Sequence, residues 1–296
     1  MKKAILVCCV GVAACSRPVP KIEPAVHYVV GAAWQVDDGF WVYPREDFSY
    51  QATGLAVRVD KGKKDQPLTT DGEVRSDLTM TASHPTLQLP AIVTVTNLDN
   101  GRVVKVRLND RGPDKLGRVL GVTPKVASLL GITDQPAKVR VVEDEQASRH
   151  LAEILPGGPA LQINTAPLEG VVQTQLAGGQ SAGRATKEVP SVKEGGVAQT
   201  AGLQADVAAA MADLPVSWWQ GAPSYARLWV ETTDFTSRYA AAREAAREGG
   251  SVVPSFASQG KMWAVRHGPF ATISEADTAL RHSLADGLTG SHIVVE

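Results

Sequence analysis

The stretch IVTVTNLDNGRVVKVRLNDRGP, from Ile92 to Pro113, holds the reading of the fold. Two runs dominated by β-branched residues, IVTVTNL and RVVKVRL, flank Asp99-Asn100-Gly101. An Asx-Gly turn between such runs is a strong hairpin signal, because glycine takes the positive φ that a tight hairpin needs. The second strand then runs into Asn109-Asp110-Arg111-Gly112-Pro113, a turn that ends it. Working outward, LAVRV begins at Leu55 and KVRVV at Lys138, with another turn at Asp71-Gly72. A helix is expected over Pro124–Leu130, with Thr123 as N-cap, proline at the first helical position and Gly131 as the stop. Residues 51–143 are therefore expected to form a small, mostly β domain with one or two short helices.

The rest of the chain divides by its aromatic residues. They fall in two blocks, Tyr28–Tyr50 and Trp218–Phe270, and none lies between Gln51 and Ser217. Residues 15–50 form a lead-in. Residues 144–222, rich in Ala, Gly, Gln, Thr and Pro, are expected to be a flexible linker that cannot bury enough surface to offset chain entropy, apart from a short helix around Leu203–Leu214. Residues 223–296 show the order strand, helix, strand, strand, helix, strand, which in so short a span is a ferredoxin-like α+β unit. The 296 residues are 44% apolar and carry a net charge of −1, which excludes wholesale disorder and a strongly basic nucleic-acid binder.

All three cysteines, Cys8, Cys9 and Cys15, lie at the N-terminus. A disulfide framework, Cys-ligated zinc and a cysteine nucleophile are thereby excluded from the folded part, and no metal or cofactor is implied. Lys2 and Lys3 precede a short apolar run, the layout of a secretory signal. Its end, Val12-Ala13-Ala14-Cys15, resembles a bacterial lipobox. The resemblance implies removal of residues 1–14 and lipidation of Cys15, which anchors the chain to a membrane. Ser16 after the cysteine implies the outer membrane, facing the periplasm. A plain cleaved signal is the alternative.

Four segments carry a further resemblance: Thr70-Asp71-Gly72-Glu73, TASHPTLQLP from Thr81, VTNLDNGR from Val95, and Leu108-Asn109-Asp110-Arg111-Gly112-Pro113. Together they resemble the rare lipoprotein A (RlpA) family, whose fold is a double-psi β-barrel. Active members are lytic transglycosylases: the sugar O6 attacks C1 between N-acetylmuramic acid and N-acetylglucosamine, leaving a 1,6-anhydro ring. One carboxyl group can protonate the leaving oxygen and take the O6 proton, provided an apolar setting keeps it protonated at the start. The resemblance makes Asp110 that group, His84 its support and Glu73 a third polar position, and Arg111 a ligand for a substrate carboxylate or a partner holding Asp110 ionised. The residues alone leave another reading open, in which Asp110 only caps turn amides. The chain departs from the family where an aromatic usually follows Gly-Glu. Arg75 stands there, and the barrel has no aromatic surface unless the lead-in folds over the groove.

WAVRHGPF, from Trp263 to Phe270, followed by Ser274-Glu275-Ala276, resembles SPOR domains, which bind glycan strands stripped of stem peptides at the division septum. Its candidate contacts are Tyr225, Trp229, Trp263 and Arg266, although Trp263 and Arg266 cannot share one face of a regular strand. The expectation is a lipid-anchored lytic transglycosylase acting on peptidoglycan near the septum, where division-site proteins are candidate partners. The alternative is a non-catalytic wall-binding lipoprotein.

Overall fold

A computed structural model describes residues 23–60, 67–159, 204–255 and 262–296. The signal at 1–14 and Cys15 lie outside the described residues, as does the middle of the expected linker.

A small hairpin comes first, β1 (Trp34–Gln35) with β2 (Trp41–Val42). Six strands follow: β3 (Gln51–Arg58), β4 (Thr81–Ser83), β5 (Ala91–Asn97), β6 (Arg102–Asp110), β7 (Arg118–Val122) and β8 (Ala137–Glu143). They bond in the order β4-β7-β3-β8-β5-β6, and β4 pairs back onto β6. The sheet thus closes into a six-stranded barrel, which leaves no edge within the ring. The β3–β7 and β4–β6 pairs are parallel and the others antiparallel. This arrangement is consistent with a double-psi barrel. Its interior is aliphatic, with Val93, Val95, Val104, Val106, Leu108, Leu120, Val139 and Val141 fully buried. Each such side chain contributes about 1.5–3 kcal/mol on leaving water.

The β5–β6 hairpin forms as its turn sequence requires. Gly101 has φ +77°, and a Cβ there would meet the Gly221 carbonyl at 2.3 Å. Asn97 and Asn100 both donate to the Leu130 carbonyl, tying the turn to the end of α1 (Pro124–Leu130). Thr123 caps that helix through the Val126 amide, and Gly131 closes it in the left-handed region.

The lead-in is strapped across the barrel. Val29 bridges Leu89, the Ala25 and His27 amides donate to the Gly72 and Asp71 carbonyls, and Tyr28 packs beside Ile92. At Gly72, φ is +89° and a Cβ would meet the Ala25 carbonyl at 2.1 Å, so only glycine allows this approach.

The linker reading of 144–222 is corrected at its start and again at Trp219–Gln220, whereas the short helix expected around Leu203–Leu214 is present over 204–210. Helix α2 (Glu145–Ile154) starts at once, with Asp144 accepting from the Ala147 amide. It sets Leu151 and Ala152 against Tyr28 and Ile92, and its Ser148 hydroxyl accepts from the Ile92 amide. Residues 204–210 are helical (α3), and Val207 and Ala210 pack on the same cluster. Strand β9 (Trp219–Gln220) then pairs with β6.

The C-terminal unit comprises β10 (Leu228–Phe235), α4 (Arg238–Glu248), β11 (Ser251–Ser255), β12 (Met262–Phe270), α5 (Ile273–Ala285) and β13 (Ser291–Val295). Its antiparallel sheet has the order β11-β12-β10-β13. Leu228, Val230, Ile293 and Val295 face α5, while Val265 and Trp263 face α4, so both helices cover one side. This unit, with its own four-stranded sheet, packs against the barrel. Leu55 and Leu98 of the barrel share the α5 cluster, and Arg118 of β7 pairs with Asp277 of α5 at 2.5 and 2.9 Å.

Candidate active site

Strands β4 and β6 run parallel and end together, with Ser83 opposite Asp110. A cleft of about 450 Å³ opens there, lined by Thr70, Arg75, Ser83, Asp110 and Arg111 on the barrel side and by Trp34 from the lead-in. Asp110, the last residue of β6, is 9% exposed. Its Oδ1 accepts from the Thr70 amide at 3.0 Å and the Thr70 hydroxyl at 2.7 Å, and its Oδ2 forms an ion pair with Arg75. The expected apolar setting is corrected, because the nearest groups to this carboxyl are polar or cationic. The amide it accepts from belongs to Thr70, on a different loop, and not to the Asn109–Pro113 turn that Asp110 would cap in the purely structural reading.

His84 lies beside Asp110 in the backbone but not through its ring. Its amide donates to the Asp110 carbonyl at 3.1 Å. Its Nδ1 accepts from the Thr86 and Leu87 amides at 3.1 and 3.0 Å, which leaves the proton on Nε2 to donate to the Tyr50 hydroxyl at 3.1 Å. The Tyr50 ring meets the imidazole edge-on. Burial, then the positive charges of Arg111 and Arg45, push the imidazole down to about 3. The His84 side chain is not part of the cleft lining, so its expected contact with Asp110 or sugar is corrected to a role in shaping the turn at 84–87.

Glu73 is likewise a brace. It takes Arg107 bidentately at 2.7 and 3.0 Å and the Asn109 amide group at 3.2 Å, and it does not line the cleft. Arg111 does line it, but its guanidinium donates to the carbonyls of Val30, His84 and Leu87. Burial pulls its pKa down to about 10, against the favourable charge of Asp110. The expected hold on Asp110 belongs instead to Arg75. Asp71 is fully buried, and its Oδ1 accepts from Thr69 and from the Glu73 amide. Burial, and then the Glu73 charge, push it up to about 8.

Sequence reasoning passed over Thr70, Arg75 and Trp34 as site residues. Arg75 carried a signal, since it replaces an expected aromatic two residues after Glu73. Trp34 carried only a weak one, its place in the lead-in's aromatic block.

In the C-terminal unit, Trp229, Glu231 and Arg266 share the sheet face away from the helices. Arg266 pairs with Glu231 and Glu296 and lies 5.9 Å from the Trp229 ring centre. Tyr225 precedes β10 and is fully exposed. Trp263 is corrected as a candidate contact, because it packs with Ala241, Ala245 and Val265 under α4.

Fold and cleft together define a closed, mostly β barrel with a carboxyl group in a polar cleft at the end of a parallel strand pair. No family model matches the chain. Among curated proteins, it is 44% identical over 122 residues to the endolytic peptidoglycan transglycosylase RlpA of Yersinia pestis, covering 41% of this chain and 33% of that protein. It is 32% identical over 136 residues to the protein of that name from Escherichia coli K12, covering 44% and 37%. For that of Pseudomonas aeruginosa the figures are 38% over 113 residues, covering 38% and 32%. The chain thus spans about a third of the length of the relatives it matches, and the likeness supports a relation to the RlpA family.

Proposed function

We propose that this chain is a peptidoglycan lytic transglycosylase, with Asp110 as the group that handles protons. The observation that carries this reading is the position of Asp110. A carboxyl group stands at the wall of a cleft large enough for sugar rings, in a chain similar to named peptidoglycan transglycosylases. In the reaction, Asp110 protonates the glycosidic oxygen as the C1–O bond breaks. The muramoyl O6 then bonds to C1, and its proton passes to the carboxylate. The electron pair of the broken bond leaves on the departing sugar, which gains the proton from Asp110, so atoms and charge balance without water. Thr70 keeps the carboxyl oriented during this exchange.

Substrate class and location belong to the same proposal. The chain acts on strands lacking stem peptides, held in part by the open face of the C-terminal sheet, and is tethered to the outer membrane through lipid on Cys15. The alternative is a wall-binding lipoprotein without turnover. The Arg75–Asp110 ion pair favours it, because the carboxyl cannot deliver a proton while it remains paired as an anion.

Product analysis separates the two. Wild-type protein incubated with amidase-treated sacculi should release strands with 1,6-anhydro ends, and more of them than from untreated sacculi. Asp110→Asn should lose about 10²–10⁴-fold of that release, the usual worth of general acid–base catalysis, while still binding glycan. Equal release from both proteins removes Asp110 as the acid/base, and no release from either favours the wall-binding reading. In cells, a fatty-acid label present on wild type and absent from Cys15→Ser checks the anchor.

A further inference from the structure

The barrel itself supplies no aromatic ring, yet the cleft has one. Trp34 enters its lining from β1, and among the described residues it is the one aromatic in that lining. Its position is built rather than incidental. The indole Nε1 donates to the Pro85 carbonyl at 3.0 Å, and Trp34 pairs with Val42 in the small hairpin. Within the same hairpin turn, the Asp37 amide donates to the carbonyl of Asp114, itself on the cleft rim, at 2.7 Å. Four residues before Trp34, the Val30 carbonyl is taken by Arg111, the neighbour of Asp110. The same guanidinium also takes the His84 and Leu87 carbonyls, on the loop that carries Pro85. One side chain therefore ties the lead-in and the loop anchoring Trp34 to the strand end that bears the carboxyl.

We infer that Trp34 is the stacking platform for a pyranose ring in this cleft, and that Arg111 is the positioning residue that holds the platform at its distance from Asp110. The chemistry selects a sugar. An indole face is flat, apolar and negative at its centre, and it attracts the positively polarised C–H groups that line one face of a pyranose. The hydroxyl and amide groups at the ring's edge then meet the polar wall formed by Thr70, Ser83 and Arg75. Because the indole N–H is already satisfied by Pro85, the ring face is the part of Trp34 left to the ligand. This inference deepens the proposed function and rests on its reading of the substrate as glycan. It does not rest on turnover.

The test uses the full chain carrying Asp110→Asn, so that nothing is consumed, with soluble denuded glycan strands as the probe. The Trp34 indole N–H resonance is assigned by its loss in Trp34→Phe and followed during titration. That signal reports the cleft and is blind to sugar held on the C-terminal sheet. The expected result is a saturable shift of this resonance. Trp34→Leu, which keeps bulk without a flat ring, should weaken cleft affinity about 3- to 10-fold, read from the Thr70 amide resonance. Trp34→Phe should stay within about twofold of the parent. Arg111→Gln should weaken binding by a similar factor, with the Trp34 resonance already displaced in the free protein. A Trp34 resonance that does not move, or a Leu variant that binds as the parent does, overturns the inference. Wild-type turnover bears separately on the proposed function: no anhydro product beside a Trp34-dependent shift removes the transglycosylase and leaves the platform standing.

Discussion

At the scale of single residues, the site is governed by which polar groups have been spent on structure. His84 shows this most plainly. Both ring nitrogens are committed, Nδ1 to two backbone amides and Nε2 to Tyr50, so the buried imidazole stays neutral. Its pKa of about 3 when folded lies below the ordinary value near 6.5, so between those limits the unfolded chain binds a proton that the native protein does not. Its effect on stability is therefore lost as pH falls from about 6.5 toward 3. Asp71 and Glu143 act in the opposite sense. Burial raises them to about 8 and about 7, and their contribution is present at low pH and lost as pH rises through those values. Between about pH 4.5 and 6.5 the two senses oppose each other, with two carboxyls against one imidazole, and above that only the carboxyls act, so urea unfolding should show stability falling as pH rises toward about 8. His84→Gln should steepen the fall between about pH 4.5 and 6.5, by about 1.4 kcal/mol per pH unit. Asp71→Asn should flatten the fall up to about pH 8. A profile unchanged in His84→Gln would mean that the imidazole is solvated and free to reach the cleft.

At the scale of elements, local signals worked wherever the chain's own chemistry closes the element. The Asp99-Asn100-Gly101 turn, the Thr123 cap with Pro124, and the Gly131 stop all act within a few residues, and each stands in the structure as read. The C-terminal strands and helices follow their periodicities in the same way, and the two-residue period of β12 separates Arg266 from Trp263 onto opposite faces. Helix α2 is hidden by the Gly- and Ala-rich composition of 144–222 taken as a whole. Asp144 as cap, followed by Ala147, Leu151 and Leu155 on one face, is a helix signal in itself, but it stands at the head of a Gly- and Ala-rich region. Strand β9 gave no such signal. Two residues, Trp219 and Gln220, pair with β6 only because Gly101 and Gly221 let the backbones approach.

At the scale of the whole molecule, the barrel and the C-terminal unit meet through a buried ion pair inside an apolar rim. The Arg118 side chain is 1% exposed and that of Asp277 17%. Around them Leu55 and Leu98 pack with Leu228, Leu280 and Ile293, and the Val295 amide donates to the Thr53 hydroxyl at 3.1 Å. Removing one partner of a buried pair leaves a charge without compensation, so Asp277→Ala should cost about 3–5 kcal/mol of stability. Arg118→Met combined with Asp277→Leu should recover most of that loss. Denaturation of the three variants checks this, and an Asp277→Ala protein as stable as wild type would show that the two units do not dock this way in solution. What sequence alone determined here is what short-range chemistry specifies: the β-rich stretch, its turns and caps, the strand and helix order of the C-terminal unit, and the motif that points to Asp110. What only the tertiary structure decided is which side chains share a space. Arg75 reaches Asp110, Tyr50 takes the His84 ring, and Trp34 crosses from the lead-in to the cleft, because closing the barrel and strapping the lead-in over it join residues that lie tens of positions apart. No local period or spacing encodes such meetings. They follow from where the burial of the aliphatic interior forces the backbone to pass.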